Sequence, residues 1–217
     1  STRGLLRGIG VASAIEIAAG PQPETAELRF DPSGTATVLV GSTPHGQGHE
    51  TIYKQLICER LGLHPQEVRV IEGDTDKVAF GTGTGGSRTA TIGGAAVLGA
   101  VDKLVAKGRE IAAQMMEAAS ADIEFDDAEF RVVGTDRSLA FKAVAIASYN
   151  ASNLPEGMEP GMFEFATFTP LAGNFPNGCQ VCEVEIDPSS GVVELVRHTG
   201  VGDAGFEINP LLVRGQM

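Results

Sequence analysis

The length, composition and charge of this 217-residue sequence exclude several classes of protein. Hydrophobic residues make up 42% of the chain, an ordinary share for a globular protein long enough to bury a core without disulfide or metal support. The net charge of −12 argues against binding to nucleic acid or to anionic membranes, because both need a basic protein surface.

Neither a membrane span nor a secretory leader is predicted. No apolar run approaches the roughly 18 residues of a membrane helix, and the first residues lack the apolar core of a signal peptide. The three cysteines, Cys58, Cys179 and Cys182, are an odd and scattered set, which favours a reducing, cytoplasmic compartment. Both ends look cut, so we expect residues 1–217 to be one piece of a longer protein.

Hydrophobic periodicity places the elements along the chain. Alternation at every second residue predicts strands, and apolar residues three and four apart predict helices. In chain order we predict a strand at 8–17, a hairpin at 27–41, a helix at 50–62, a strand at 67–73, a loop at 74–88, a helix at 89–118, a hairpin at 129–141, a helix at 142–150, an irregular stretch at 154–161 and a hairpin at 179–198. The predicted seam of the long helix is Val97, Val101, Leu104, Gly108, Ile111 and Met115. Together these elements predict an α+β or mixed α/β fold, with antiparallel hairpins packed against two or three helices.

The first candidate site is the first glycine loop, residues 43–48, which leads into the helix at 50–62. His45 and His49 have a spacing that could bind one metal on a helix, but Gly46 and Gly48 lie nearby and disfavour helix. A polar turn that caps the helix is a second interpretation. The third is a cradle for a polar or anionic ligand, because the glycines leave backbone N–H groups unshielded and Gln47 adds a donor and an acceptor.

The second candidate site is the second glycine loop, residues 81–88, which leads into the long helix. Its G-x-G-x-x-G pattern does not directly follow the first strand of a parallel unit, as a dinucleotide site requires, and no Walker A lysine ends it. Backbone N–H groups, two hydroxyls and one guanidinium at a helix N-terminus nevertheless favour anion binding. The alternative is a plain turn in which Ser87 or Thr89 caps the helix.

The remaining candidates are weaker. Cys179 and Cys182 form C-x-x-C, but on a strand residues three apart face opposite sides, which disfavours zinc and redox chemistry. Glu72, Asp74 and Asp76 do not have the spacing of a calcium-binding loop.

Three long stretches resemble the large subunit of the molybdenum hydroxylases, the family of xanthine dehydrogenase, aldehyde oxidase and aerobic carbon monoxide dehydrogenase. They are GSTPHGQGHETIYKQLICERLGLHPQEVRVIEGDTD, FGTGTGGSRTATIGGAAV and FPNGCQVCEVEIDPSSGVVELVRHTGVGDAGFEINPLLVRGQ. The resemblance implies that residues 1–217 are a single piece of the molybdopterin-binding domain, with upstream and downstream parts missing.

The same resemblance implies which residues bind the molybdopterin cofactor. Gly46, Gln47 and Gly48 match the segment that passes beside the cofactor near the metal. Thr84, Gly85, Gly86, Ser87 and Arg88 match the loop that clasps the pterin phosphate or dinucleotide. The bacterial style of the sequence favours the cytosine dinucleotide form of the cofactor.

The implied enzyme oxidises a small molecule, namely an aldehyde, a purine, an N-heterocycle or CO, with water as oxygen source. Iron–sulfur and flavin subunits or domains would take the electrons. The family's glutamate base lies in a Gly-x-Gly-Glu type segment that is not found here, and the upstream Gly-Gly-Phe-Gly-Gly stretch is also missing. We therefore assign no catalytic residue and no metal ligand to this chain, and we expect the isolated piece to be inactive and free of cofactor. Two other classes stay open: an inactive structural or assembly module, and an unrelated nucleotide-binding domain.

Overall fold

The computed structural model describes residues 4–217, which contain ten β-strands and four α-helices. The strands are β1 (Leu6–Ile15), β2 (Glu24–Phe30), β3 (Ala36–Val40), β4 (Val68–Glu72), β5 (Ile123–Asp126), β6 (Glu129–Val132), β7 (Ser138–Ala140), β8 (Phe163–Phe168), β9 (Asn177–Ile186) and β10 (Val193–Asp203). The helices are α1 (His49–Leu61), α2 (Gly94–Met115), α3 (Phe141–Ala147) and α4 (Pro210–Gln216). The predicted α+β class is confirmed, although β5, β8 and α4 were not predicted.

The chain forms two compact units. Among the described residues, the first unit combines residues 4–18 with Gly173–Met217, and the second unit is Ala19–Ala172. The expectation that residues 1–217 are a single piece of one domain stays a prediction, and within that piece the structure has these two units.

The first unit contains an antiparallel sheet with the strand order β1-β9-β10. The predicted hairpin at its centre is confirmed. Cys179 pairs with Ser13 and Cys182 pairs with Gly10, so three residues of alternating strand put the two thiols on opposite faces, as predicted.

The second unit is built on a four-stranded sheet with the order β4-β3-β2-β8. The predicted hairpin joins β2 and β3, whereas β3 and β4 are parallel and connected by α1. This β3-α1-β4 crossover was not predicted. Its strands place the first glycine loop at the carboxyl end of β3, while the G-x-G-x-x-G pattern follows the second strand of the crossover. A dinucleotide fingerprint follows the first strand of such a unit, so the G-x-G-x-x-G pattern is not where dinucleotide binding requires it.

Helix α2 packs against β8, β2 and α1 in the second unit. A π-helical turn, Thr89–Gly93, runs directly into it, so the predicted helix begins as expected but not with regular α-geometry. Five residues of the predicted seam are buried, and Met115 is half-buried while its neighbour Met116 takes the inner position. Gly108 is required where the helix meets the Phe130 ring, because an added Cβ would lie 2.5 Å from the ring.

Helix α2 belongs to an apolar stretch of the described residues. Thr89–Met115 is long and apolar enough to cross a membrane, a property that the core helices of other proteins share. Its most apolar part is 56% buried inside the molecule, as in a core helix.

Candidate functional site

The first glycine loop has a backbone that depends on glycine. Gly46 and Gly48 have φ angles of 89° and 88°, in the left-handed region that other residues rarely adopt. Gly48 caps helix α1 without any side-chain hydrogen bond, so the first turn of α1 keeps unpaired N–H donors. Gln47 Oε1 accepts the His45 N–H at 2.5 Å, and this bond leaves the two N–H donors of the Gln47 amide unused.

His45 and His49 do not act together in this structure. His49 is buried, and its Nδ1 lies 2.9 Å from Glu72 Oε1, while His45 is exposed. Among residues 4–217, no group of three His, Cys, Asp or Glu side chains is arranged to bind a metal ion.

A buried hydrogen-bonded cluster lies below the first glycine loop. Ser42 Oγ donates to Glu72 Oε1 at 2.6 Å and lies 3.0 Å from the Tyr53 hydroxyl. Burial raises the pKa of the Tyr53 hydroxyl, so this group stays protonated at neutral pH and donates to Ser42. The bonds therefore run from Tyr53 to Ser42 and from Ser42 to Glu72, and His49 Nδ1 is hydrogen-bonded to the same Glu72 oxygen.

The second glycine loop is open on one side. An added Cβ at Gly85 or Gly86 would meet nothing within 4 Å. Gly83 and Gly86 have positive φ angles, as does Ser87 at 53°. The π-helical turn that follows begins after Arg88, and no side chain caps it. The alternative in which Ser87 or Thr89 is the N-cap is wrong for this turn. Thr89 Oγ1 instead lies 3.0 Å from Thr84 Oγ1.

Arg88 corrects one detail of the sequence interpretation. The sequence analysis took its guanidinium as a fork of donors for an anion, but the side chain is only 6% exposed and its terminal nitrogens bond inside the protein. Nη1 donates to Glu24 Oε2 at 3.0 Å and to the Gly83 carbonyl at 2.8 Å. Nη2 donates to the carbonyls of Gln22 and Pro23. Arg88 thus fastens the second glycine loop to the start of β2.

The partner of Arg88 is itself buried. Glu24 is 1% exposed, and burial raises the pKa of its carboxyl while the Thr25 N–H and the Arg88 charge oppose that shift. A carboxylate in such a position needs a charged partner, because an isolated buried charge is strongly destabilising.

The two glycine loops are neighbours within the second unit. The Thr43 N–H donates to Thr84 Oγ1 at 2.9 Å, which joins the two loops directly. The stems also touch, since a Cβ added to Gly41 would lie 2.3 Å from the Gly81 Cα. Only glycine allows backbones to approach this closely. The two loops, both of which the resemblance assigns to one cofactor, therefore lie side by side in the structure.

The donors at this surface fit a phosphorylated pterin. The residues offer backbone N–H groups at two uncapped helix starts, the Gln47 amide and threonine hydroxyls, all of which suit an anionic, hydrogen-bonding ligand. A Cβ added at Gly46, Gly85 or Gly86 would meet no atom of residues 4–217 within 4 Å.

Sequence reasoning missed the residues that support this surface. Ser42, Tyr53, Glu72 and Glu24 carry no motif, and three of them lie in regular elements. Glu24 starts β2 and Glu72 ends β4, and both strands carry other charged residues, namely Glu27, Arg29 and Arg69, so no local signal singled the two carboxylates out.

Comparison with known proteins identifies the family to which this chain belongs. The family model described as molybdopterin cofactor-binding domain matches residues 1–217. The carbon monoxide dehydrogenase large chain of Hydrogenophaga pseudoflava is 35% identical over 224 residues, which cover 98% of this chain and 28% of that protein. The chain thus spans little more than a quarter of the length of this relative.

Solved structures give the same fold. Reconstituted CO dehydrogenase from Oligotropha carboxidovorans superposes with a TM-score of 0.90 at 35% identity, over 99% of this chain and 28% of that one. Quinoline 2-oxidoreductase from Pseudomonas putida 86 superposes with a TM-score of 0.88 at 31% identity, over 99% of this chain and 29% of that one.

Proposed function

This chain belongs to the molybdopterin cofactor-binding domain family, and on that premise we propose that its two glycine loops hold molybdopterin within a molybdenum-dependent oxidoreductase. The observation that carries the proposal is the hydrogen bond from Thr43 to Thr84, which brings both loops to one surface. Either loop alone would be a common glycine turn, but two uncapped helix starts at one surface form a concentrated set of donors.

The proposed roles differ between the loops. Gly46, Gln47 and Gly48 lie beside the cofactor, where the Gln47 amide and the N–H groups at the start of α1 orient it. Thr84, Gly85, Gly86 and Ser87 bind the phosphate or dinucleotide part through backbone N–H groups and hydroxyls. Arg88 does not contact the cofactor in this proposal. Its terminal nitrogens donate to Glu24 and to backbone carbonyls and thereby stabilise the conformation of the second glycine loop.

The bound cofactor would supply the oxidation of an aldehyde, a purine, an N-heterocycle or CO, with water as oxygen source. The residues of this chain would bind and orient the cofactor. The whole protein would pass electrons to iron–sulfur and flavin partners. We further propose the cytosine dinucleotide form of the cofactor and a cytoplasmic location, which the three unpaired cysteines support.

Glycine-to-valine substitutions in the full-length enzyme test the proposal. Gly85 and Gly10 both have backbone angles that other residues tolerate, and an added Cβ at either meets no atom within 4 Å. Gly85→Val would put a branched side chain where the cofactor binds, whereas Gly10→Val lies on β1 and serves as the matched control. We expect Gly85→Val to lower the molybdenum bound per polypeptide roughly tenfold, equivalent to about 1.4 kcal/mol.

Elemental analysis measures the molybdenum, and acid release of cytidine monophosphate identifies the dinucleotide form. Thermal unfolding of both variants should match the parent enzyme. Full molybdenum occupancy in Gly85→Val, or an equal loss in Gly10→Val, would contradict the proposed role of the second loop.

A further inference from the structure

We propose that Glu72 is a positioning residue that holds both ends of the first glycine loop and thereby sets how Gln47 faces the cofactor. The inference rests on the proposed function of that loop. Glu72 is remote in sequence from the loop and carries no motif, so nothing in the sequence pattern assigns it a role.

One carboxylate oxygen anchors the loop on both sides. Ser42 immediately precedes the first glycine loop, and its hydroxyl donates to Glu72 Oε1 at 2.6 Å. His49 immediately follows the loop, and its Nδ1 lies 2.9 Å from the same oxygen. The side chains of His49 and Glu72 are each 5% exposed, so water does not compete for these bonds.

The topology of the sheet puts Glu72 in this position. Parallel pairing places Glu72 beside Val40, at the carboxyl ends of β4 and β3. The chain leaves β3 into the first glycine loop, and α1 returns from it toward β4. A carboxylate at the end of β4 therefore faces the point where the loop starts and the point where it finishes.

The loop itself has few other supports. Thr43, Pro44, His45 and Gly46 are exposed. Bonds to this segment include the Thr43–Thr84 contact, the internal bond from His45 to Gln47, and the bond from the Ile52 N–H to the Gly48 carbonyl where α1 begins. Glycine at two positions makes the backbone of this loop easy to deform. The two ends of the loop therefore need contacts outside it, and Glu72 contacts both.

The same cluster extends to the second glycine loop. The Tyr53 hydroxyl donates to Ser42 and rests against Gly93, where an added Cβ would lie 2.5 Å from it. Gly93 closes the π-helical turn that follows the second glycine loop. Glu72 is thus one end of a buried connection between the supports of both loops.

Two pairs of variants in the full-length enzyme test the role of Glu72. Glu72→Ala removes the acceptor, whereas Glu72→Gln keeps an oxygen that can accept from Ser42 and His49. His49→Leu removes the donor, whereas His49→Asn keeps an amide nitrogen at the position of Nδ1. Glu67→Ala is the control, because Glu67 forms a partly exposed ion pair with Lys142 away from both glycine loops.

Two readouts separate positioning from general stability. We expect amide hydrogen exchange at residues 43–49 to rise about tenfold in Glu72→Ala and His49→Leu, while the buried centre of α2 is unchanged. Molybdenum bound per polypeptide should fall in the same two variants. Glu72→Gln and His49→Asn should recover most of both properties, and Glu67→Ala should match the parent in both.

The outcomes are separable from those of the proposed function. Unchanged exchange at 43–49, or an increase spread evenly over the second unit, would overturn the inference. So would full molybdenum occupancy in a Glu72→Ala enzyme whose loop exchanges faster. If Gly85→Val loses molybdenum while the Glu72 variants keep it, the proposed function stands and this inference fails. If all of these variants keep it, the proposed function fails as well.

Discussion

Arg88 illustrates how a residue can be placed at a site by its sequence and yet act indirectly in the structure. Next to a glycine-rich loop and a helix start, an arginine is a natural anion ligand. Its two terminal nitrogens are instead shared among Glu24 and three backbone carbonyls, within a site almost closed to water. The planar fork of arginine suits this set of acceptors, and a lysine ammonium does not reproduce it.

Arg88→Lys should therefore destabilise the chain by about 3 kcal/mol, because a single ammonium cannot reach Glu24 and the three carbonyls together and leaves buried acceptors without donors. Urea denaturation of the 217-residue chain would measure the free energy of unfolding. Arg60→Lys is the control, since Arg60 pairs with Asp102 at 2.9 Å while their side chains are 52% and 63% exposed. Its cost should stay within about 0.5 kcal/mol. Equal costs for the two substitutions would show that burial does not govern the Arg88 interaction.

At the scale of elements, two of the predicted hairpins turn through similar sequences, Asp-Pro-Ser-Gly at 31–34 and Asp-Pro-Ser-Ser-Gly at 187–191. Asp31 Oδ1 accepts the Ser33 N–H and hydroxyl, and Asp187 Oδ1 accepts the Ser189 N–H and hydroxyl in the same way. These bonds span only two residues, so they depend on the local sequence of the turn.

The Asp187 turn carries a pH prediction. The Ser189 hydroxyl and N–H, with the Ser190 hydroxyl, lower the pKa of Asp187 from 3.8 to about 2. A folded-state pKa below the unfolded value means that the carboxylate stabilises the turn above about pH 4, and that this support is lost as the pH falls through 2.

A carbon-13 NMR titration of the Asp187 carboxyl would check this shift. Ser189→Ala should move the midpoint back toward 3.8, since it removes the hydroxyl that contributes most. A midpoint near 3.8 in the parent chain would show that the hydroxyl does not hold the carboxylate in solution.

At the scale of the whole molecule, the chain matches only part of its relatives. It spans 28% of the length of the carbon monoxide dehydrogenase relative. The sheet of the first unit leaves Ile9, Val11, Ile15 and Val201 between 66% and 72% exposed. Exposed apolar faces of this kind are typical of surfaces that contact other protein.

We therefore expect the isolated 217-residue chain to contain no molybdenum and to show no turnover, even when it is produced in a host that makes the cofactor. The proposed cofactor contacts of this chain come from the two glycine loops of the second unit, and a Cβ added at Gly46, Gly85 or Gly86 would meet no atom of residues 4–217 within 4 Å. Elemental analysis of the purified chain checks the prediction, with the full-length enzyme from the same host as control. Stoichiometric molybdenum in the isolated chain would refute it.

The sequence by itself determined the local features of this protein: the hairpins and their turns, the long apolar helix, and two glycine loops whose backbone only glycine readily adopts. These depend on residues a few positions apart, which periodicity and turn chemistry report directly. Only the tertiary structure decided what supports the loops. Glu72 and Ser42 are 30 residues apart, and Glu24 and Arg88 are 64 apart. The parallel pairing of β3 with β4 likewise follows from how α1 packs. Contacts of this range depend on how the elements meet in three dimensions, so no local pattern in the sequence encodes them.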